Sequence, residues 1–384
     1  MRLEEELTLE TTRVSETGAP VLEVKDLRVV FHTYAGDVKA LDGVNLTVRR
    51  HEILGVVGES GCGKSVTALA IAGLLPENAT ATGQILLDGR NLSNLNKEQM
   101  RQVRLKDIAQ VFQDPMTYLN PILQVGFQIT EALVSERKIY EKQLVDQRLE
   151  EIEELKKQGA NNLQALERER DKLQASLQSG RISRAQEREL ARDFALEYLK
   201  LVRLPEAERV FKMYPFELSG GMRQRAMIAM ALVKRPKLLL ADEITTALDV
   251  TVQAQILALL QELRNEIDAS IMLVTHDLGV VSEVCDRVAV MYAGNVVEVA
   301  ELHELFTNPL HPYTQGLMAA VPRPDRSTIK LESIKGSVPD LIYPPSGCRF
   351  HPRCPKAFAD CPQRKPKDIE ASQGHLVECL LYGG

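Results

Sequence analysis

Apolar and polar positions alternate from Val21 onward, in VLEVKDLRVVF and again in ALDGVNLTV. Period-two alternation of this kind predicts strands with one wet face. The next stretch, HEILGVVGESGCGKSVTALAIAGLL, reads as a buried strand, a glycine-rich loop and a helix. Short apolar runs around Gln84–Leu87, Ile108–Phe112, Leu238–Ala241 and Ile271–Thr275 are further strands. Strands alternating with helices predict a mostly parallel sheet covered on both faces.

The pattern changes between Ser135 and Arg192, where the chain is charged and has no proline. Leu149, Ile152 and Leu155 recur at helical spacing, as do Leu163, Leu166, Leu173 and Leu177. Glycine and two asparagines interrupt the run near Gln158–Asn162. This is the seam of an amphipathic helix pair broken by a turn, and it predicts an antiparallel helical hairpin. Two readings of it stay open, a solvated protrusion and a docking arm for a partner. Residues 1–19 are polar and acid-rich and read as a loose tail. After Thr307 the chain turns proline-rich, which predicts an irregular extension wrapped on the main domain.

Composition narrows the class. The 384 residues allow one large domain with appendages, or two domains. Apolar residues at 44% and charged residues at 26% fit a globular protein. A net charge of −6 argues against a nucleic-acid surface as the main business of the chain. No apolar run reaches the ~18 residues of a membrane span, and no basic start precedes an apolar core as in a secretory leader. Four of the six cysteines, Cys348, Cys354, Cys361 and Cys379, crowd the C-terminal end. In a reducing compartment such a cluster reads as well as a metal site as it does as disulfides.

Gly58–Ser65, GESGCGKS, fits the phosphate-loop pattern G-x-x-x-x-G-K-S/T between a strand and a helix. Glycines at Gly58, Gly61 and Gly63 let the amides of Ser60, Cys62 and their neighbours turn toward phosphates, and the helix start adds positive potential. Lys64 is expected on the β- and γ-phosphates and Ser65 on Mg²⁺. The strand Leu238–Ala241 ends in two acids. Asp242 suits the Mg²⁺ shell, and Glu243 suits the water that attacks the γ-phosphate. Ser219, Gly220 and Gly221 open the helical stretch MRQRAMIAMALV. They form a second anion cradle. One ATP needs one phosphate loop, so a second cradle is expected to face another subunit's nucleotide.

Together the phosphate loop, LSGGMRQR at Leu218–Arg225 and the acid-ended strand resemble the ATP-binding cassette (ABC) family, over roughly Val21–Pro322. The resemblance implies a P-loop NTPase α/β fold. It has a mostly parallel core, an antiparallel β edge, and a helical subdomain at about 114–230 carrying the hairpin inserted at about 135–192. The ATPase domain would span 20–306 and the extension 307–384. It also implies head-to-tail cassette pairing, with Ser219 and Gly221 on the γ-phosphate held by the partner, and with Gln224 and Arg225 positioning their helix. Ala247, Leu248 and Asp249 resemble the loop crossing that interface. His276, in VTHD, resembles the family's switch histidine. Gln113 resembles the glutamine that contacts Mg²⁺ and the attacking water. Tyr34, or else Phe31, resembles the aromatic that stacks on adenine. Ile244 departs from the proline usual after the second acid.

NPLHPYTQGLMAAVP and GCRFHPRCPKAFADCP look like the tail of dipeptide/oligopeptide importer ATPases. That branch implies a second, different ATPase subunit, two permeases and an extracytoplasmic solute-binding protein at the cytoplasmic face of the cell membrane. Peptides, oligosaccharides and metal chelates all remain open as the solute. Members carry a [4Fe–4S] cluster at such a tail, and four cysteines are the ligand set it takes. Zinc is the alternative, with His351 or His375 replacing a cysteine. Cys285 reads as core. A rival reading is a soluble ABC ATPase acting on ribosomes or DNA, supported by the hairpin. A third is a redox-sensing regulator built on the cysteine tail.

Overall fold

A computed structural model describes residues 20–112, 118–134, 148–149, 152–153, 155–157, 166–168, 170–172, 184–246, 248–320 and 334–383. Those up to 112 and from 235 onward form one compact unit, and those between 118 and 234 form a second.

The first unit contains β1 (Pro20–Thr33), β2 (Gly36–Arg49), β3 (Ile53–Val57), β4 (Ala79–Leu87), β5 (Arg90–Asn91), β6 (Ile108–Val111), β7 (Leu238–Asp242), β8 (Ser270–Thr275), β9 (Arg287–Tyr292), β10 (Asn295–Glu301), β11 (Asp368–Ser372) and β12 (His375–Glu378). An antiparallel sheet runs β2-β1-β4-β5, and an eight-stranded sheet runs β11-β12-β10-β9-β3-β8-β7-β6. In the larger sheet β9, β3, β8, β7 and β6 are mutually parallel. β3, β7, β8 and β9 are buried along their whole length, as strands covered on both faces must be. The alternation read in β1 and β2 becomes one buried face, with Leu22, Val24, Leu27 and Val29 packed beside Ile71 of the helix Lys64–Ala72 and Leu54 of β3.

The C-terminal extension is more ordered than its prolines predict. Pro312–Ala319 is a helix, and β12 pairs with β10, so β12 and β11 complete the edge of the ATPase sheet. The expected irregular extension thus carries a helix and two short edge strands within an otherwise irregular chain. An edge strand presents unpaired backbone groups, and β12 satisfies those of β10.

The second unit holds the helices Val125–Val134, Arg184–Leu201, Ala207–Lys212 and Gly220–Leu232. Ile129, Leu133, Phe194, Leu199, Met227 and Leu232 are among its buried apolar residues. Most of the predicted hairpin, and all of the tail 1–19, lie outside the described residues. The described stretches 152–153, 155–157, 166–168 and 170–172 are helical, and Lys156–Glu167 (3.9 Å) and Arg170–Glu153 (3.7 Å) link them. The helix Arg184–Leu201 runs unbroken past Arg192, where the insertion is predicted to end. Among the described residues no helix is long and apolar enough to cross a membrane.

Candidate active site

Because β3, β8 and β7 are adjacent and parallel, their carboxyl ends open at one edge of the sheet. Ligands of open α/β sheets bind at that edge. Gly58, Asp242 and His276 stand at or just beyond those three strand ends.

Gly58–Ser65 leads from β3 into the helix Lys64–Ala72. Gly61 and Gly63 have φ of 77° and 106°, values that side-chain-bearing residues rarely adopt. A Cβ on Gly58 would collide with the carbonyl oxygen of Met291, so β9 fixes how the loop leaves the sheet. The Lys64 ammonium donates to the carbonyls of Gly58 (2.8 Å) and Glu59 (3.1 Å) inside the loop. Ser65 Oγ donates to Asp242 Oδ1 at 3.1 Å, which joins the two predicted Mg²⁺ residues. Asp242 is buried. Burial lifts its carboxyl above the usual range, the charge on Glu243 lifts it further, and Ser65 and Lys64 oppose the shift. A buried acid held by a hydroxyl beside an ammonium suits a hard divalent cation with oxygen ligands. Cys62 is fully buried and its thiol is pushed up by burial, as fits a small packing residue of the loop.

Glu243 follows β7 with φ 48°, a left-handed conformation for a residue with a side chain. Its N–H donates to Val274 O on β8 (2.9 Å), and Thr246 Oγ1 donates to Oε2 (3.4 Å). His276 Nδ1 lies 3.3 Å from Glu243 Oε1. Ile244 is buried in the turn that follows. Asp249 caps the helix Val250–Glu266 by accepting from Val252 N at 2.9 Å, with Leu248 just before it. Tyr34 sits at the tip of the β1–β2 hairpin with its ring wholly exposed. Phe31 packs against the core, which favours Tyr34 of the two as an adenine platform. Gln113 and Ala247 lie outside the described residues.

In the second unit, Ser219 Oγ caps the helix Gly220–Leu232 by accepting from Met222 N at 3.3 Å. Gln224 is buried and Arg225 donates to Val202 O at 3.0 Å, which anchors that helix to the C-terminal end of the helix Arg184–Leu201. The start of a helix is the expected anion cradle.

All four C-terminal cysteines are free thiols, and Cys361 and Cys379 are buried. The Cys348 thiol is pushed up to about 12, first by burial and then by Cys379, Cys361 and Cys354, and the Cys348 N–H donates to Cys361 O at 2.8 Å. Among the described residues, however, no three His, Cys, Asp or Glu side chains stand in a metal-holding arrangement. His375 is not free to replace a cysteine. Its Nε2 lies 2.8 Å from Glu298 Oε1 and its Nδ1 3.4 Å from Glu304 Oε1. Cys285 is buried against Gly55.

Two partners of the phosphate loop, Tyr313 and Arg353, escape sequence reading. Tyr313 Oη accepts from Glu59 N at 2.9 Å, and the Arg353 guanidinium grips the Glu59 carboxylate with both nitrogens, at 2.6 and 3.0 Å. No motif signals partners so far apart in the chain.

Residues 41–246 match the family model for the ABC transporter, and residues 297–361 match that for the oligopeptide/dipeptide transporter C-terminal region. The chain is 43% identical to the oligopeptide transport ATP-binding protein OppD of Salmonella typhimurium, over 96% of each chain. It is 43% identical to the dipeptide transport ATP-binding protein DppD of Bacillus subtilis, over 94% of each. Among solved structures, the bacterial ABC transporter cassette MJ0796 in its dimeric form aligns with a TM-score of 0.55 at 25% identity, over 73% of this chain and 98% of that one. The cbiO1 protein of Clostridium perfringens, part of the ABC transporter complex cbiONQ, aligns at 0.54 and 25%, over 76% and 92%.

Proposed function

This chain belongs to the ABC transporter family, and from that premise we propose that it is the ATP-hydrolysing subunit of an importer of oligopeptides or dipeptides. The observation that carries the reading is the joining of Ser65, Asp242, Glu243 and His276 at the carboxyl ends of β3, β7 and β8. ATP phosphates lie along the amides of Gly58–Ser65, with Lys64 on the β- and γ-phosphates. Tyr34 stacks on adenine. Mg²⁺, when bound at Ser65, Asp242 and Gln113, draws charge off the phosphates. Glu243 accepts a proton from the attacking water as its oxygen bonds to the γ-phosphorus and the bond to the β–γ bridging oxygen breaks. His276 touches the γ-phosphate, and its ring is oriented by Glu243.

Ser219, Gly220 and Gly221 act on the nucleotide of a second, homologous ATPase subunit, and Ala247–Asp249 cross the same interface. Two permeases and an extracytoplasmic binding protein complete the assembly at the cytoplasmic face of the membrane. The peptide reading rests on the OppD and DppD likeness and on the C-terminal match. We further propose a [4Fe–4S] cluster at Cys348, Cys354, Cys361 and Cys379, on the ground that four free thiols are the donor set such a cluster takes; to hold it and pin the extension, the thiols would have to converge from the positions described above. Anaerobic purification and analysis for iron and acid-labile sulfide test the cluster. Zinc alone, or no metal, overturns it.

Reconstitution with the genomically adjacent permeases in proteoliposomes tests the function. ATP-dependent uptake of short peptides is the expected result. ATPase activity stimulated by ribosomes or DNA and indifferent to permeases overturns it.

A further inference from the structure

Glu59 is the second residue of the phosphate loop, and the loop's own chemistry gives its carboxylate no task. Its partner comes from the cysteine segment, 294 positions later. Arg353 Nη1 and Nη2 bind Glu59 Oε2 and Oε1 at 2.6 and 3.0 Å, the two-point geometry in which guanidinium and carboxylate interact most strongly. The Arg353 side chain is only 6% exposed. It is also held independently of Glu59. Nε donates to Lys335 O at 2.9 Å, Nη2 donates to Gly336 O at 3.2 Å, and the guanidinium lies 5.6 Å over the Tyr292 ring. The fork is therefore fixed before it meets the loop.

The loop is fixed from the same side at two further points. Glu59 N donates to Tyr313 Oη at 2.9 Å, and Gly294 N donates to Cys62 O at 2.8 Å. Glu59 O in turn accepts from Lys64 Nζ at 3.1 Å. Tyr292, Tyr313 and Phe350 pack against one another in tilted and edge-to-face arrangements, with ring centroids 4.7 to 5.4 Å apart.

We propose that Arg353 is a positioning residue for the phosphate loop. Its guanidinium orients Glu59 and cancels a negative charge that would otherwise face the nucleotide's phosphates. The proposal rests on the reading of Gly58–Ser65 as the nucleotide loop. An exposed ion pair would do little. In this one the guanidinium is buried and pre-organised while the Glu59 side chain is 30% exposed, and an uncompensated carboxylate near a triphosphate is repulsive, the more so at low local dielectric. Arg353 stands between Cys348 and Cys354 and directly precedes Cys354. Whatever holds the cysteines in place therefore also holds the residue that shapes the nucleotide site.

The test is titration of the purified full-length chain with trinitrophenyl-ATP, with melting temperature followed in parallel. Arg353→Ala is expected to raise Kd about tenfold, a coupling of ordinary size. Arg353→Lys, which keeps the charge and loses the fork, falls between. Adding Glu59→Gln to Arg353→Ala restores Kd to within about threefold of wild type, because the neutral amide no longer repels phosphate. A residue that only packs the extension gives no such rescue. The proposal is overturned by a Kd for Arg353→Ala within about twofold of wild type, or by a double variant as weak as the single one. Should Arg353→Ala not fold, the same comparison is made with Arg353→Gln, alone and with Glu59→Gln. A wild-type chain that binds no trinitrophenyl-ATP overturns the nucleotide-loop reading itself, a result distinct from the others.

Discussion

His276 Nδ1 lies 3.3 Å from Glu243 Oε1, although the two residues leave different strands. The contact exists because β7 and β8 are parallel neighbours and end together. Glu243 holds a left-handed backbone to present its side chain there, a local strain of the kind that collects at functional sites. Glu243→Gln keeps the shape and removes the proposed base. Turnover is expected to fall by roughly a hundredfold or more, while ATP binding and ATP-driven pairing of cassettes persist. Phosphate release and size-exclusion chromatography with ATP measure the two. Turnover near wild type would remove Glu243 from the role of base.

Ser219 tests whether the second cradle works in trans. Its hydroxyl caps the helix Gly220–Leu232, so Ser219→Ala should cost about 1 kcal/mol of helix stability. If the cradle serves a neighbour's nucleotide, the isolated chain loses no ATP affinity. The assembled transporter loses kcat. Equal loss of affinity in the isolated chain would place Ser219 on the chain's own nucleotide instead.

The cassette site was legible because each part is a local pattern, a strand followed by a turn with fixed residue types. Gly58–Ser65, Asp242–Glu243 and VTHD each announce themselves, and sheet order alone brings them together. The partners that cross long stretches of chain were not legible. Nothing near Arg353 marks it as the counter-ion of Glu59. The strands DIEAS and HLVE are too short to show a period; β10 templates HLVE by pairing Glu298 with Val377 and Val299 with Leu376, and HLVE in turn pairs DIEAS. His375, next to a cysteine-rich run, invited a metal reading. Glu298, a buried acid on β10, claims it.

Arg287 and Glu52 form a buried ion pair at the amino ends of β9 and β3, with Nη1 to Oε1 at 3.1 Å and both side chains under a tenth exposed. Glu52 also accepts from Arg49 N at 2.6 Å, so it keeps one partner when Arg287 is lost. Removing one member of a buried pair strands the other charge. Arg287→Met is expected to destabilise the chain by about 3 kcal/mol. Arg287→Met with Glu52→Met should cost less than the single change, since no orphan charge remains. Urea denaturation of the two variants decides it. A double variant less stable than the single one would mean that the pair is a net source of stability.

His311 gives the fold an acid-sensitive point. Its ring is fully buried against Phe350, Nδ1 accepts from Tyr313 N at 3.1 Å to start the helix Pro312–Ala319, and the His311 backbone N–H donates to Glu298 Oε2 at 2.8 Å. Burial depresses the imidazole to about 3. The unfolded chain, with an ordinary histidine near about 6.5, binds a proton across that interval while the folded chain does not. Stability is therefore full above about pH 6.5 and declines as pH falls toward about 3. Between about pH 6.5 and pH 5 the loss is roughly 2 kcal/mol, at about 1.4 kcal/mol per unit. His311→Asn keeps a capping acceptor that does not titrate in this range. Urea midpoints from neutral to mildly acidic pH should fall more steeply in wild type than in this variant, by about one proton's worth of slope. Parallel slopes would show that the acid sensitivity lies elsewhere.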